Sequence, residues 1–341
     1  MEIDFLQYQV RNGDTLTSIA SRLGMTGEEL KLFHNSCCKS MDKVWLENLN
    51  DVESIFVPIH FKTETEKEQE RKNSLPAQFS DSFLAKTYAV NETFETPFES
   101  PVSIDYIIDL NLRKERNTAR HILSYSQNDF KSNGNTPDDK VSSLSIACMK
   151  SIMPFEFVID EQGKITGFAD HKKITDTFSK QRKELEDFYI GEASQNFMDV
   201  FERNIQDESF FLQQLKSTLL FQTLFPKIDW FQRKKNWKEP FYFLQNSFPV
   251  QCELNIEQSN DDDDDSVLTI LNGKITELCT SQEILRGIKL KESVSEPAQG
   301  NIVLEYTTHT NNKNLLQAKA SVLLSHEEVF IHQHHITITQ G

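Results

Sequence analysis

The chain has 341 residues, enough for two or three domains, and a formal net charge of −16 from 52 acidic and 36 basic residues. This balance argues against general nucleic-acid binding, because neutralising a phosphate backbone needs clustered lysine and arginine. No stretch is apolar over the length needed to cross a bilayer, so no membrane span is expected. The 25 phenylalanines, against only 11 glycines, favour a large aromatic core.

The first sixty residues contain a compact series of structural signals. Tyr8 and Val10 alternate with polar residues, as in a short edge strand. Gly13 and Asp14 follow with turn chemistry, and the Asp14 carboxylate is placed to cap a helix. Apolar residues then recur at helical spacing from Leu16. These signals predict a strand, a turn and a helix.

A second helix and a closing strand are predicted next. Thr26 precedes Glu29 as in a helix start, and Leu30 supplies an apolar position for its buried face. The closing strand is predicted at residues 54–57, with Pro58 ending it. The resulting order is βααβ.

This order, over about residues 7–58, resembles the LysM domain family, whose members usually recognise N-acetylglucosamine-containing glycans such as peptidoglycan or chitin. In that family the glycan lies between the loop after the first strand and the loop before the last. By position, the resemblance implies glycan or partner contacts from Gly13, Asp14, Thr15, Leu16 and Asn35. The segment between Asn35 and Phe56 departs from the family: it is longer than the usual connector and lacks its glycine. Residues 13–16 also have a purely structural use, since they make the turn.

The composition divides the chain into three parts. Residues 1–60 form the LysM-like domain, and residues 61–78, which are almost wholly charged or polar up to Asn73, are predicted to be a linker. Residues 79–341 form a larger domain. The overall expectation is an α+β protein with a small βααβ module and a larger antiparallel sheet packed on a helical block.

Within the larger domain, alternation predicts the strands and helical spacing predicts the block at about residues 171–226. The alternating runs are 104–112, 121–125, 144–148, 155–159, 165–168, 250–256, 267–271, 302–306, 316–324 and 329–339. A hairpin turn is predicted at Asn272 and Gly273, and a solvated loop at the acidic tract 261–265.

No cofactor or catalytic motif is predicted. The sequence contains no GxSxG elbow, P-loop, GxGxxG or HExxH pattern. His332 and His334 share one face of the last predicted strand and are weak zinc candidates, but sheet packing is the favoured interpretation. Five cysteines of irregular spacing favour reduced thiols.

Three functional hypotheses follow. The first is a non-enzymatic structural or adaptor protein that docks to a protein assembly, as signal-less LysM proteins do in baseplates and spikes of contractile injection systems such as type VI secretion. The second is a peptidoglycan-binding envelope protein, and the third is a wall-active enzyme. Residues 1–5 carry no visible secretory signal, so synthesis in the cytoplasm is expected, followed by entry into an envelope-spanning or injected assembly.

Overall fold

A computed structural model describes residues 5–49, 52–59, 74–115, 120–261, 265–290, 296–326 and 329–341. The chain divides into two compact units, residues 1–73 and 74–341. The charged stretch of the predicted linker lies outside the described residues. The second unit begins at Ser74, and Leu75 and Phe79 are both buried in its core.

The N-terminal unit has the predicted βααβ order. Its elements are β1 (Phe5–Gln9), α1 (Leu16–Leu23), α2 (Gly27–Cys37) and β2 (Ser54–Pro58). β1 pairs antiparallel with β2, with Tyr8 opposite Ile55. Gly24 ends α1 in the left-handed conformation, as expected for a glycine after a helix. A small core holds these elements together and consists of Leu16, Ile19, Ala20, Met25, Leu30, Val44, Leu49, Ile55 and Val57.

The second unit is built on a single antiparallel sheet of 11 strands, in the order β7-β6-β5-β4-β3-β13-β12-β11-β10-β9-β8. The strands are β3 (Thr87–Glu95), β4 (Val102–Lys114), β5 (His121–Ser132), β6 (Phe155–Ile159), β7 (Ile165–Phe168), β8 (Trp237–Phe241), β9 (Val250–Asp261), β10 (Ser266–Ile275), β11 (Gln299–His309), β12 (Leu315–His326) and β13 (Val329–Gln340). The first and last strands of this unit, β3 and β13, are paired with each other inside the sheet.

Four helices and a 3₁₀ turn lie between β7 and β8, in the predicted helical region: α4 (His171–Phe188), α5 (Glu192–Gln206), α6 (Glu208–Lys216), α7 (Leu219–Leu224) and the 3₁₀ turn (Ile228–Gln232). Helix α3 (Lys140–Ile152) precedes β6, and helix α8 (Ser281–Arg286) follows β10. Aromatic rings join helices to sheet: Phe155 contacts Phe211, and Phe157 contacts Phe221, at centroid distances of 5.6 Å in both pairs. The predicted α+β class is therefore confirmed. Among the described residues, no helix combines the length and apolar character required to cross a membrane.

The predicted strand at residues 144–148 is wrong, because this segment lies within helix α3. Asp139 caps the helix by accepting a hydrogen bond from the Ser142 N–H at 2.9 Å. Leu144 and Cys148 are buried on one face together with Ile152. Their spacing of four residues suits a helix, and three apolar residues at alternate positions were too few to distinguish the two periods.

The predicted turn at Asn272 and Gly273 is also wrong, because β10 continues through both residues. Gly273 is required there by close packing. A Cβ atom at this position would lie 2.7 Å from Ile302 and 2.8 Å from Leu254 on the two neighbouring strands. β9 and β10 pair as far as Asp261 opposite Ser266, and residues 262–264 of the acidic tract between them lie outside the described residues.

Helix α7 has no exposed side: all of its residues, from Leu219 to Leu224, are buried. It packs against β12 and β13. One of its two polar members, Gln222, pairs with the backbone of Tyr242, accepting from the N–H at 2.8 Å and donating to the carbonyl at 3.1 Å. This side chain therefore satisfies two backbone groups just beyond β8.

Gln222→Leu should lower the free energy of unfolding of the second unit by about 1–3 kcal/mol, because buried Tyr242 backbone groups would lose their partners. Chemical denaturation of the full chain measures this change. Gln213→Leu, on the exposed side of α6, is the matched control and should have little effect. Equal destabilisation by both variants would contradict the proposed role of Gln222.

Candidate functional site

The loop after β1 is organised around Asp14. Its carboxylate accepts hydrogen bonds from the Tyr8 hydroxyl and the Arg11 backbone N–H, both at 2.9 Å. Arg22, from the last turn of α1, adds an ion pair at 2.6 Å. The Arg11 N–H, followed by Arg22 and Tyr8, holds the pKa of Asp14 below its ordinary value. Both carboxylate oxygens of Asp14 are thus bonded to groups of the protein itself.

Helix α1 is capped by Thr15 and not, as predicted, by Asp14. The Thr15 hydroxyl accepts from the Ser18 N–H at 3.1 Å, and Ser18 Oγ accepts from the Thr15 N–H at 2.9 Å. This reciprocal pair is a capping box with serine as the third residue of the helix. The Asp14 carboxylate instead bonds to Tyr8 on β1 and to Arg22 on α1.

The segment before β2 lies directly against this loop. Thr15 forms an antiparallel bridge with Asn48, and the Leu16 N–H donates to the Glu47 carbonyl at 3.1 Å. The Glu47 carboxylate also accepts from the Thr17 N–H at 2.7 Å, and the hydroxyl and N–H of Thr17 hold its pKa below the ordinary value. The loop after β1 and the segment before β2 are therefore joined by hydrogen bonds.

Two residues of α2 hold the long segment that leads from α2 to β2. The Asn35 amide donates to the Val44 carbonyl at 2.9 Å and accepts from the Val44 N–H at 2.8 Å. Buried His34 has Nε2 at 2.9 Å from the Asp42 carbonyl, and its Nδ1 accepts from the Phe56 N–H at 3.0 Å. Asn35 thus positions the long segment with its side chain.

The predicted site residues differ in how exposed they are. Gly13 is exposed, with φ of 91°, whereas the Leu16 side chain is buried. Between the buried residues Val44 and Leu49, the structure instead leaves Trp45 and Leu46 exposed, by 73% and 74%. Sequence reasoning did not select this pair, although a tryptophan in a segment without helical or strand periodicity was an available signal.

The LysM domain family model matches residues 8–32, which run from β1 into α2. The N-terminal unit carries a LysM domain. The match includes Gly13, Asp14, Thr15 and Leu16, while Asn35 and the loop with Trp45 follow it. No family model matches the remainder of the chain.

No curated protein matches the chain. Among solved structures, one described as "Lipid-protein interactions in lipovitellin" is similar over 75% of this chain at 8% sequence identity and a TM-score of 0.36. The chain covers 24% of that protein's length.

The histidine pair lies on β13, where its surroundings engage it without a metal. His334 Nε2 lies 2.7 Å from Glu92, and its ring stacks on Phe94 at 4.0 Å between centroids. The His332 ring lies 6.4 Å from that of His334, and burial lowers the pKa of His332 to about 4. Across the described residues, no group of three or more histidine, cysteine or acidic side chains is arranged to hold a metal ion.

Gly13→Val should loosen the LysM domain, because a β-branched residue resists the left-handed backbone found there, at a cost of about 1–2 kcal/mol. Faster hydrogen–deuterium exchange in peptides from residues 5–49 of the full chain would report this. Gly134 has a similar φ of 78° and, like Gly13, open space around its Cβ position. Gly134→Val should leave exchange in residues 5–49 unchanged, and unchanged exchange in Gly13→Val would refute the turn assignment.

Asp14→Asn should weaken the LysM domain at neutral pH but not in acid. A folded-state pKa below the ordinary value means that the carboxylate stabilises the fold above that value and loses this effect as pH falls through the folded-state pKa. The difference in exchange protection between wild type and variant should therefore shrink from neutral pH to about pH 2. The exposed Asp42→Asn serves as the control, and a pH-independent difference would contradict the assignment.

Proposed function

We propose that this protein is a non-enzymatic adaptor whose LysM domain binds N-acetylglucosamine-containing glycan, with peptidoglycan as the substrate class. The observation that carries the proposal is the joined pair of loops, with exposed Trp45 two residues before Glu47. The Glu47 carbonyl bonds Leu16 at the end of the opposite loop. An exposed aromatic ring thus lies on the segment that is hydrogen-bonded to the loop after β1.

The chemistry of this surface suits a sugar chain. Pyranose rings have an apolar C–H face that packs on an aromatic ring, and N-acetyl groups both donate and accept hydrogen bonds. Asn12 and Gly13 are exposed in the tight turn and are the proposed source of backbone contacts. Because the side chains of Asp14, Thr15 and Asn35 are already engaged, recognition relies on these backbone groups and on Trp45.

The adaptor part of the proposal places a protein partner on the second unit. Four exposed apolar side chains lie on and beside α8, namely Leu278, Leu285, Ile288 and Leu290. Clustered exposed apolar residues commonly mark interaction surfaces. The narrower hypothesis is that this partner belongs to the baseplate or spike of a contractile injection system. The non-enzymatic part rests on the lack of a catalytic motif in the sequence.

Trp45→Ala should weaken binding of the full chain to purified peptidoglycan by about tenfold, equivalent to ~1.4 kcal/mol, because the stacking surface for the sugar is lost. Trp45→Phe keeps a ring and should retain most of the binding. Sedimentation with peptidoglycan and calorimetry with N-acetylglucosamine oligomers measure both variants. Binding that is unaffected by Trp45→Ala would reject this site.

Further experiments with peptidoglycan and with cell extract distinguish the adaptor from the enzyme and the envelope protein. Incubation with peptidoglycan should release no sugar or peptide, and release would favour the wall-active enzyme. Cross-linking in the native cell extract should recover components of one assembly. Strong glycan binding without any protein partner would favour the envelope protein over the adaptor.

A further inference from the structure

A separate site lies within the second unit, where both edge strands of the sheet line one cavity of about 270 Å³. Lys164 and Ile165 contribute from the start of β7, and Glu239 and Phe241 contribute from β8. Helix α7 and the 3₁₀ turn supply further walls. The volume is close to the lower end of the ~300–1,000 Å³ found for small-molecule sites.

The polar groups of this cavity are strongly biased towards positive charge. Its lining includes Lys164, Lys216 and Lys227, with Glu239 as the only acidic residue. Glu239 is occupied on both oxygens: it forms an ion pair with Lys227 and accepts from the Trp230 indole N–H at 3.4 Å. One negative charge is thus present among three lysines.

Of the two lysines that Glu239 does not pair with, Lys164 is half-buried and Lys216 is exposed. Lys164 is therefore the less hydrated of the two. Its Nζ lies 4.8 Å above the centre of the Trp230 ring, and in the described part of the chain it forms no ion pair. Removing an ammonium group from water is unfavourable unless an anion compensates it. Burial, followed by the nearby charge of Lys227, lowers the pKa of Lys164 to about 7.

The remaining walls are apolar and largely aromatic. Phe221, Phe225 and Trp230 are buried, and Phe241 and Tyr242 complete this part of the lining. Such walls suit a planar apolar body, and aromatic rings also hold a ligand in a defined orientation. The cavity therefore has a cationic end and aromatic walls.

We propose that this cavity binds a small molecule with an anionic head group, carboxylate or phosphate, attached to an aromatic body. The head group pairs with Lys164 and Lys216, while the body packs against the Phe221 and Phe225 side of the lining. Lys227 remains with Glu239. This site lies wholly in the second unit and does not depend on glycan binding by the LysM domain.

Binding should be coupled to proton uptake. An anion favours the ammonium form of Lys164, so at a pH above about 7 the amine takes up a proton when the ligand binds. The other charged groups facing this amine are Lys227, Glu239, Lys216 and Asp160. Affinity should therefore fall between about pH 6 and pH 9 as the unliganded amine becomes neutral.

The test uses the full chain and three probes of the same shape: naphthoate, naphthyl phosphate and neutral naphthamide. Titration calorimetry should give binding of at least one anion, with naphthamide weaker by about tenfold or more. The preferred anion identifies the head group. Calorimetry in buffers of different ionisation enthalpy should reveal proton uptake above neutral pH. Equal binding of naphthamide, or no binding by either anion, would overturn the proposal.

Lys164→Met provides the decisive variant, because it keeps the length of the side chain and removes its charge. It should lose anion binding and proton uptake while melting at the same or a higher temperature, since the buried charge is gone. Lys238→Met, on an exposed position of the same edge strand β8, is the matched control and should bind normally. A folded Lys164→Met protein that still binds the anion with proton uptake would refute the assignment.

Discussion

The burial of helix α7 on all sides is the constraint on which the second unit depends. A helix without an exposed face needs apolar partners around its whole circumference. Strands β12 and β13 cover one side, and aromatic residues such as Tyr125 and Phe157 contact Phe221. The Gln222 amide links this buried helix to the chain beyond β8 through two hydrogen bonds to Tyr242.

The same constraint brings the two edges of the sheet to one place. The 3₁₀ turn after α7 bonds to the β6–β7 hairpin, where the Ile228 N–H donates to the Gln162 carbonyl at 3.0 Å. It also bonds to β9, where Gln258 donates to the Phe231 carbonyl at 2.8 Å. Pro240 in β8 lacks a backbone donor, as is common in edge strands. The cationic cavity is therefore a consequence of how the sheet curves around its helix.

The LysM domain shows a different arrangement, in which side-chain hydrogen bonds hold the loops together. Asp14 fastens the first loop to β1 and α1, and Thr15 caps α1. Asn35 and Glu47 hold the second loop, which is longer than is usual in the family. A long segment with fixed ends can expose Trp45 because Val44 and Leu49 anchor it in the core on either side.

The sequence by itself determined the local elements: the βααβ order, the caps at Thr26 and Gly24, and most strands of the sheet, because each depends on periodicity or turn chemistry within a few residues. It could not separate helix from strand at residues 144–148, where three apolar positions fit both periods. Only tertiary structure decided that Gly273 lies inside a strand, since Ile302 and Leu254 are distant in sequence. It also decided the meeting of Lys164, Trp230 and Glu239, because their proximity follows from the curvature of the sheet around α7, a long-range packing effect that no local pattern encodes.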